Sequence, residues 1–154
     1  MIIFDKVISQ TVCDEYIYFI DTIYNERCNQ GQDPMKFSTR LIDINEPITD
    51  TVKEYIEDRV KVKLKHCWTQ LQIWPIGSLS IRHIHDDERA GEATHNSMLY
   101  LNDDFVGGEF VMWQDTVIPM RKGTVIIFPS IFLYPHRVDA VKKGTRYSFV
   151  SWAY

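Results

Sequence analysis

The chain lacks every marker that would send it into or across a membrane. No apolar stretch approaches the ~20 residues that a helical span needs. Met1-Ile2-Ile3-Phe4-Asp5 has neither the basic start nor the long apolar run of a secretory leader. A basic surplus is missing too. The 17 Lys and Arg face 21 Asp and Glu, a formal charge of −4, which disfavours a general binder of polyanions or anionic membranes. A basic groove confined to one site is compatible with that total. Cysteine is scarce and scattered: Cys13, Cys28 and Cys67 show no C-x-x-C spacing. An odd set of this kind argues against a disulfide framework and for reduced thiols, hence a cytoplasmic protein. Cys13 and Cys67 fall in apolar patterns, where thiols pack as small hydrophobes. There is no internal repeat and no low-complexity tract.

What is present has globular proportions. A chain of 154 residues with 45% hydrophobic and 13% aromatic content is expected to form one domain. At that size about 70% of the unfolded surface can be buried. The first half reads as helical. Val12, Tyr16, Ile17, Phe19, Ile20, Ile23 and Tyr24 recur at helical spacing, with Ser9 or Thr11 placed to cap the start. A second helix is expected from Thr51 to about Cys67, with Thr51-x-x-Glu54 as a capping box. Lys61, Lys63 and Lys65 would form its solvated, C-terminal end.

From Gln70 the texture changes to short alternating segments. Gln70–Trp74, Ser97–Leu101, Gly108–Trp113, Thr124–Phe128 and Arg146–Trp152 read as strands. Turn signals such as Pro75-Ile76-Gly77, Asn102-Asp103-Asp104 and Lys143-Gly144 separate them. The expected fold is mainly β with N-terminal helices, an antiparallel double-sheet jelly roll with helices on one face. Residues 1–69 would be the helical support and 70–154 the β core, within a single domain.

The second half also carries candidate metal ligands. His85 and Asp87 lie two residues apart, so on an extended strand both side chains face one way. With His136 they would complete two histidines and one carboxylate, the facial triad that holds non-haem Fe(II) and leaves positions open. His83 has the same parity. A set of His83, His85 and His136 is the alternative, a three-histidine cupin-type site; otherwise His83 is a pocket residue beside the ligands. Arg146 follows His136 by ten residues, within an apolar and aromatic run. An inward arginine there needs a partner, and the far carboxylate of a dicarboxylic co-substrate would suit its bidentate fork.

The order of these segments resembles the 2-oxoglutarate- and Fe(II)-dependent dioxygenases, within them the prolyl 4-hydroxylase-like branch. The segments that carry the likeness are Trp74-Pro75-Ile76-Gly77, His85-x-Asp87, Ser97-Met98-Leu99-Tyr100-Leu101-Asn102 and Phe105-Val106-Gly107-Gly108-Glu109-Phe110. Pro119-x-x-x-Gly123, Phe128-Pro129, His136-x-Val138 and Gly144-Thr145-Arg146-Tyr147-x-x-x-x-Trp152 continue it. Each is weak alone; their order is the signal. Small versions of this kind are common in bacteriophage and bacterial genomes, so a phage-encoded chain would work in the cytoplasm of a bacterial host.

The resemblance implies a distorted double-stranded β-helix with iron at one open end. It implies Fe(II) as cofactor, 2-oxoglutarate as co-substrate and ascorbate as a supporting reductant. Tyr100 aligns with a position whose hydroxyl touches the co-substrate carboxylate, and Ser148 is a second candidate for that task. Trp74, Met98, Trp113 and Trp152 are expected in the core or pocket wall. The activity implied is hydroxylation of a C–H bond on a protein or peptide side chain, proline first. A nucleic-acid-modifying relative on the same fold and a non-catalytic binding domain are the rivals. Residues 29–40 and 86–94 are candidate lids, since loops carry specificity. No feature of the sequence fixes the oligomeric state.

Overall fold

The computed structural model of the chain describes residues 3–32, 42–44, 47–65, 67–84, 93–119 and 121–154. Strand β1 (Ile3–Lys6) leads into helix α1 (Gln10–Asn29). Strand β2 (Ile42–Ile44) precedes helix α2 (Pro47–Val60). Ten further strands follow. They are β3 (Cys67–Trp74), β4 (Ser80–His83), β5 (His95–Tyr100), β6 (Val106–Gly107) and β7 (Phe110–Met112). The last five are β8 (Thr116–Ile118), β9 (Thr124–Pro129), β10 (His136–Val138), β11 (Val141–Lys143) and β12 (Arg146–Ala153).

The major sheet has six strands in the order β1-β9-β5-β12-β3-β2, and every pairing is antiparallel. A second sheet has the order β4-β10-β7-β8, and β11 pairs with β6 as a small ribbon. The two larger sheets face each other, and the helices cover the outer face of the major one. Alternation along β12 shows how the layers are made. Phe149 and Ala153 join the helix-side cluster with Cys13, Ile20 and Ile56. Val150 and Trp152 join the inter-sheet cluster with Phe110, Met112 and Phe128. Both faces of β12 are therefore buried, and a period of two sends successive side chains into different cores.

Helix α1 begins where the sequence places it. Ser9 has extended backbone and its Oγ accepts a hydrogen bond from Val12 N–H at 3.2 Å. Its apolar stripe is imperfect: Cys13 and Ile20 are buried, whereas Phe19 is exposed. Helix α2 departs from expectation at both ends. It starts at Pro47, a residue whose missing N–H costs nothing in the first turn. Thr51 is thus inside the helix and not at its cap. It ends at Val60, because Lys61 turns left-handed at φ 60°. Glu57 then accepts from Leu64 N–H at 2.8 Å and pairs with Lys63 at 3.0 Å, which fastens the chain as it leaves the helix. Cys67, expected at a helix end, opens β3 instead.

The first half is also less purely helical than its periodicity indicates. β1 and β2 extend the major sheet at opposite edges, paired with β9 and β3. In the second half β7 stops at Met112. Trp113 stands in the following turn at φ 56°, 39% exposed, with its indole N–H donating to Leu133 O at 3.0 Å. It is a turn residue and not part of the core.

Candidate functional site

The space between the sheets holds a cavity of about 160 Å³. Its walls come from β3 (Gln70, Gln72, Trp74), from Leu79, Ser80 and His83 around β4, and from β5 (Asn96, Ser97, Met98). Phe128, His136, Val138, Val150 and Trp152 complete them. An apolar frame thus surrounds a run of polar side chains on the inner face of the major sheet.

Two histidines meet at one side of this cavity. In the β4–β10 ladder His83 lies directly opposite His136, and their ring centroids are 4.4 Å apart at 60°. Both rings are anchored the same way. His136 Nδ1 is 3.0 Å from Tyr134 O, and His83 Nδ1 is 2.8 Å from Ile81 O. An Nδ1–H donated to each carbonyl leaves the lone pair on Nε2, the tautomer a metal requires. His136 is 4% exposed and packed against Phe110 and Phe128. Burial pushes its pKa down to about 4, with a small opposing effect from Tyr134 O and a further depression from His83. The imidazole is therefore neutral at ordinary pH and fit to ligate.

The other sequence-predicted ligands, His85 and Asp87, lie outside the described residues, as do most of the candidate lids at 29–40 and 86–94. Among the described residues no group of three His, Cys, Asp or Glu is arranged as a metal site.

Arg146 is the largest fully buried side chain among the described residues, with 0% exposure. It stands at the start of β12, opposite Trp74, behind the cavity wall formed by Trp74 and Met98. Its guanidinium is sandwiched between the rings of Trp74 and Tyr100, at 4.8 and 4.7 Å from their centroids. Among the described residues its only hydrogen bond goes from Nη2 to Met98 Sδ at 3.0 Å, and a thioether is a weak acceptor. Nε and Nη1 have no partner, and Arg146 forms no ion pair among the described residues. A buried cation without an anion is costly, so the arrangement is suited to receive one.

Several neighbours hold this arginine in place. Trp74 Nε1–H donates to Ser148 Oγ at 3.2 Å, and Ser148 donates in turn to Gln72 Oε1 at 3.3 Å. The Ser148 hydroxyl is thus engaged in orienting the ring over Arg146. Tyr100 supplies the opposite ring face and stacks on Phe105. Gly108, at φ +66°, leaves room for the arginine stem: a Cβ there would come within 3.2 Å of Arg146 Cδ. Asn102 was not singled out by sequence reasoning for this role. Its Nδ2–H donates to Thr145 O at 2.7 Å and its Oδ1 accepts from Tyr147 N–H at 2.8 Å, bracketing the Arg146 backbone. The available signal was an asparagine directly after a strand, where side-chain amides commonly fasten turns.

Residues 72–154 match the 2OG-Fe(II) oxygenase superfamily. The chain belongs to that superfamily. Fe(II) and 2-oxoglutarate are the groups that name this superfamily. The fold is shared with a prolyl 4-hydroxylase from Pseudomonas putida, at a TM-score of 0.71 and 16% identity, covering 99% of this chain and 91% of that one. A viral collagen prolyl hydroxylase from Paramecium bursaria Chlorella virus-1, solved as a 2-oxoglutarate complex, gives 0.73 and 17%, covering 99% and 93%. Among curated proteins, prolyl 3-hydroxylase 2 of Homo sapiens is 41% identical over 64 residues. That segment is 38% of this chain and 9% of the human protein, so the oxygenase resembles only a small part of that relative. No helix among the described residues is long and apolar enough to cross a membrane.

Proposed function

We propose that this oxygenase hydroxylates a protein or peptide side chain, with proline the first candidate, and that His83, His136 and Arg146 organise its site. The observation that carries the reading is Arg146, wholly buried, held between two aromatic rings and lacking an anionic partner among the described residues. The distal carboxylate of 2-oxoglutarate would replace the weak contact to Met98, whose flexible side chain can yield. Tyr100 and Ser148 support that subsite, the first through its ring and the second by steadying Trp74.

The donor chemistry fits iron as well. His83 and His136 approach each other with Nε2 as the lone-pair nitrogen on both rings. We assign these two as ligands, the third coming from His85 or Asp87 in the segment that follows β4. His83 is thereby moved from a neighbour of the metal to a ligand, and its opposition to His136 in the ladder is the reason. When bound, iron and co-substrate would allow dioxygen to be shared between two products, one atom entering a substrate C–H bond and the other the succinate formed as 2-oxoglutarate loses carbon dioxide. The chain itself orients the co-substrate through Arg146, lines the site with aromatic walls and excludes bulk water.

The likeness to prolyl hydroxylases supports a peptide substrate. The segment joining Phe128 to His136 adds an exposed apolar surface, Ile131, Phe132 and Leu133, with no phosphate-binding charge among them. Three free thiols favour the cytoplasm as its place of work.

Succinate release in the presence of Fe(II), ascorbate and 2-oxoglutarate tests the function. Proline-rich peptides are expected to stimulate it and to gain 16 mass units. Stimulation by single-stranded oligonucleotides alone would replace the peptide reading with nucleic-acid modification. Equilibrium metal binding tests the ligands: His83→Ala and His136→Ala should each abolish it, and comparison of His85→Ala with Asp87→Ala names the third. Full affinity in His83→Ala would return the site to His85, Asp87 and His136.

A further inference from the structure

We propose that Asn96 is a positioning residue for the co-substrate, its side-chain amide holding the 2-oxo acid end of 2-oxoglutarate; this deepens the reading above and rests on it. Asn96 stands near the start of β5, 1% exposed, on the wall of the same cavity as His83 and His136. Neither Nδ2 nor Oδ1 has a hydrogen-bond partner among the described residues. An amide buried with both groups unpaired is costly, and a structural asparagine is normally satisfied by its neighbours. Here the cross-strand neighbours are Phe128 and Trp152, large rings that frame the amide.

Its distance from Arg146 has the right scale. Asn96, Met98 and Tyr100 occupy successive positions on the inner face of β5. The guanidinium touches the last two. Asn96 therefore lies one same-face step, roughly 7 Å, beyond the Met98 contact. That step runs along the cavity wall shared with the two histidines. A five-carbon dicarboxylate anchored at Arg146 brings its oxo acid oxygens to the level of Asn96. There the Nδ2–H donates to an anionic oxygen, a charge-assisted bond stronger than a neutral one. Depth selects the small co-substrate over a polymeric substrate, because the amide is sealed from the surface.

Two properties should move in opposite directions. In Asn96→Leu the melting temperature of the metal-free, ligand-free protein is expected to hold or rise, since two unpaired polar groups are removed with little change of shape. Binding of 2-oxoglutarate to the Mn(II)-loaded protein, measured by calorimetry, is expected to weaken about tenfold. Asn96→Asp should weaken it further, because a carboxylate would face a carboxylate. Using 2-oxopentanoate, which keeps the oxo acid and lacks the distal carboxylate, separates the two ends. The Asn96→Leu penalty should persist with that ligand, whereas the Arg146→Ala penalty should vanish. A lowered melting temperature in Asn96→Leu with unchanged co-substrate affinity would make the amide structural. An unchanged affinity with a raised melting temperature would assign it to water. Wild-type binding that ignores Arg146→Ala would overturn the parent reading and this one together. Binding that needs Arg146 but ignores Asn96 would overturn this one alone.

Discussion

The two faces of the major sheet are made from the same strands and obey different rules. The helix-side face is mostly apolar: Leu71, Ile73, Leu99, Ile127 and Phe149 meet the helices, Tyr16 sets its ring edge-on to Phe149 at 4.9 Å, and the buried hydroxyls of Thr69 and Ser151 bond each other at 2.8 Å. The cavity-side face carries Gln70, Gln72, Asn96, Arg146 and Ser148, all 7% exposed or less. Packing explains the first face. It does not explain the second, where Arg146 and Asn96 keep unpaired polar atoms in the interior. Residues that hold a fold together are satisfied within it. Residues left wanting a partner mark where something else binds.

The comparison can be broken first at its strongest point. Phe149→Ala should lower unfolding stability by about 3–5 kcal/mol in chemical denaturation, with co-substrate affinity per folded molecule unchanged. Arg146→Ala should do the reverse. Losing one partner of a buried charged pair costs about 3–5 kcal/mol, so 2-oxoglutarate binding should fall on the order of a hundredfold or more. Iron should stay bound, the ligand-free protein should keep its stability, and Arg146→Lys should recover part of the loss. If both substitutions act on stability alone, the two faces do not differ in kind.

A smaller effect sharpens the boundary between them. Asn102→Ala removes the two bonds that bracket Arg146, and should cost about 1–3 kcal/mol of stability together with a severalfold loss of co-substrate affinity. Both readouts should move, because this residue belongs to the scaffold and steers the site. The smallest effect belongs to the helix side. Tyr147 O–H donates to Asp21 Oδ1 at 2.6 Å, tying β12 to α1, and Tyr147→Phe should cost about 1 kcal/mol. Burial, then the bond to Asp21, holds the Tyr147 hydroxyl well above its usual pKa. The sign follows: this contribution is full below the unfolded tyrosine value near 10 and fades as pH rises from there toward the folded value. Tyr147→Phe should therefore flatten the alkaline limb of the stability profile, as thermal unfolding at pH 8 and above would register.

The features readable in the sequence were those with a local signature. Alternation marked β3, β5, β7, β9 and β12 but not the shorter β4, β6, β8, β10 and β11, and Ser9 sits where an N-cap should. Arg146 was recognisable because an arginine in an apolar run needs an explanation. Elements that depend on distant partners were not readable. β1 and β2 are short, and they exist because β9 and β3 offer edges to pair with. The end of α2 was hidden by lysines that suit a helix terminus, while the left-handed Lys61 had already turned the chain. The histidine register was ambiguous for a sharper reason. His83 and His85 share a parity, and the pairing of His83 with His136 is a property of the β4–β10 ladder. Asn96 gave no signal at all, since its meaning lies in the bonds it does not make.

Burial of β12 on both faces also bears on what the gene can tolerate. A substitution in this strand touches one core. Insertion or deletion of a single codon within it would exchange every later side chain across the sheet. A slip that carried Arg146 along would press a guanidinium among the helices and turn Phe149 toward the iron site. Strand register, more than residue identity, is what β12 has to keep.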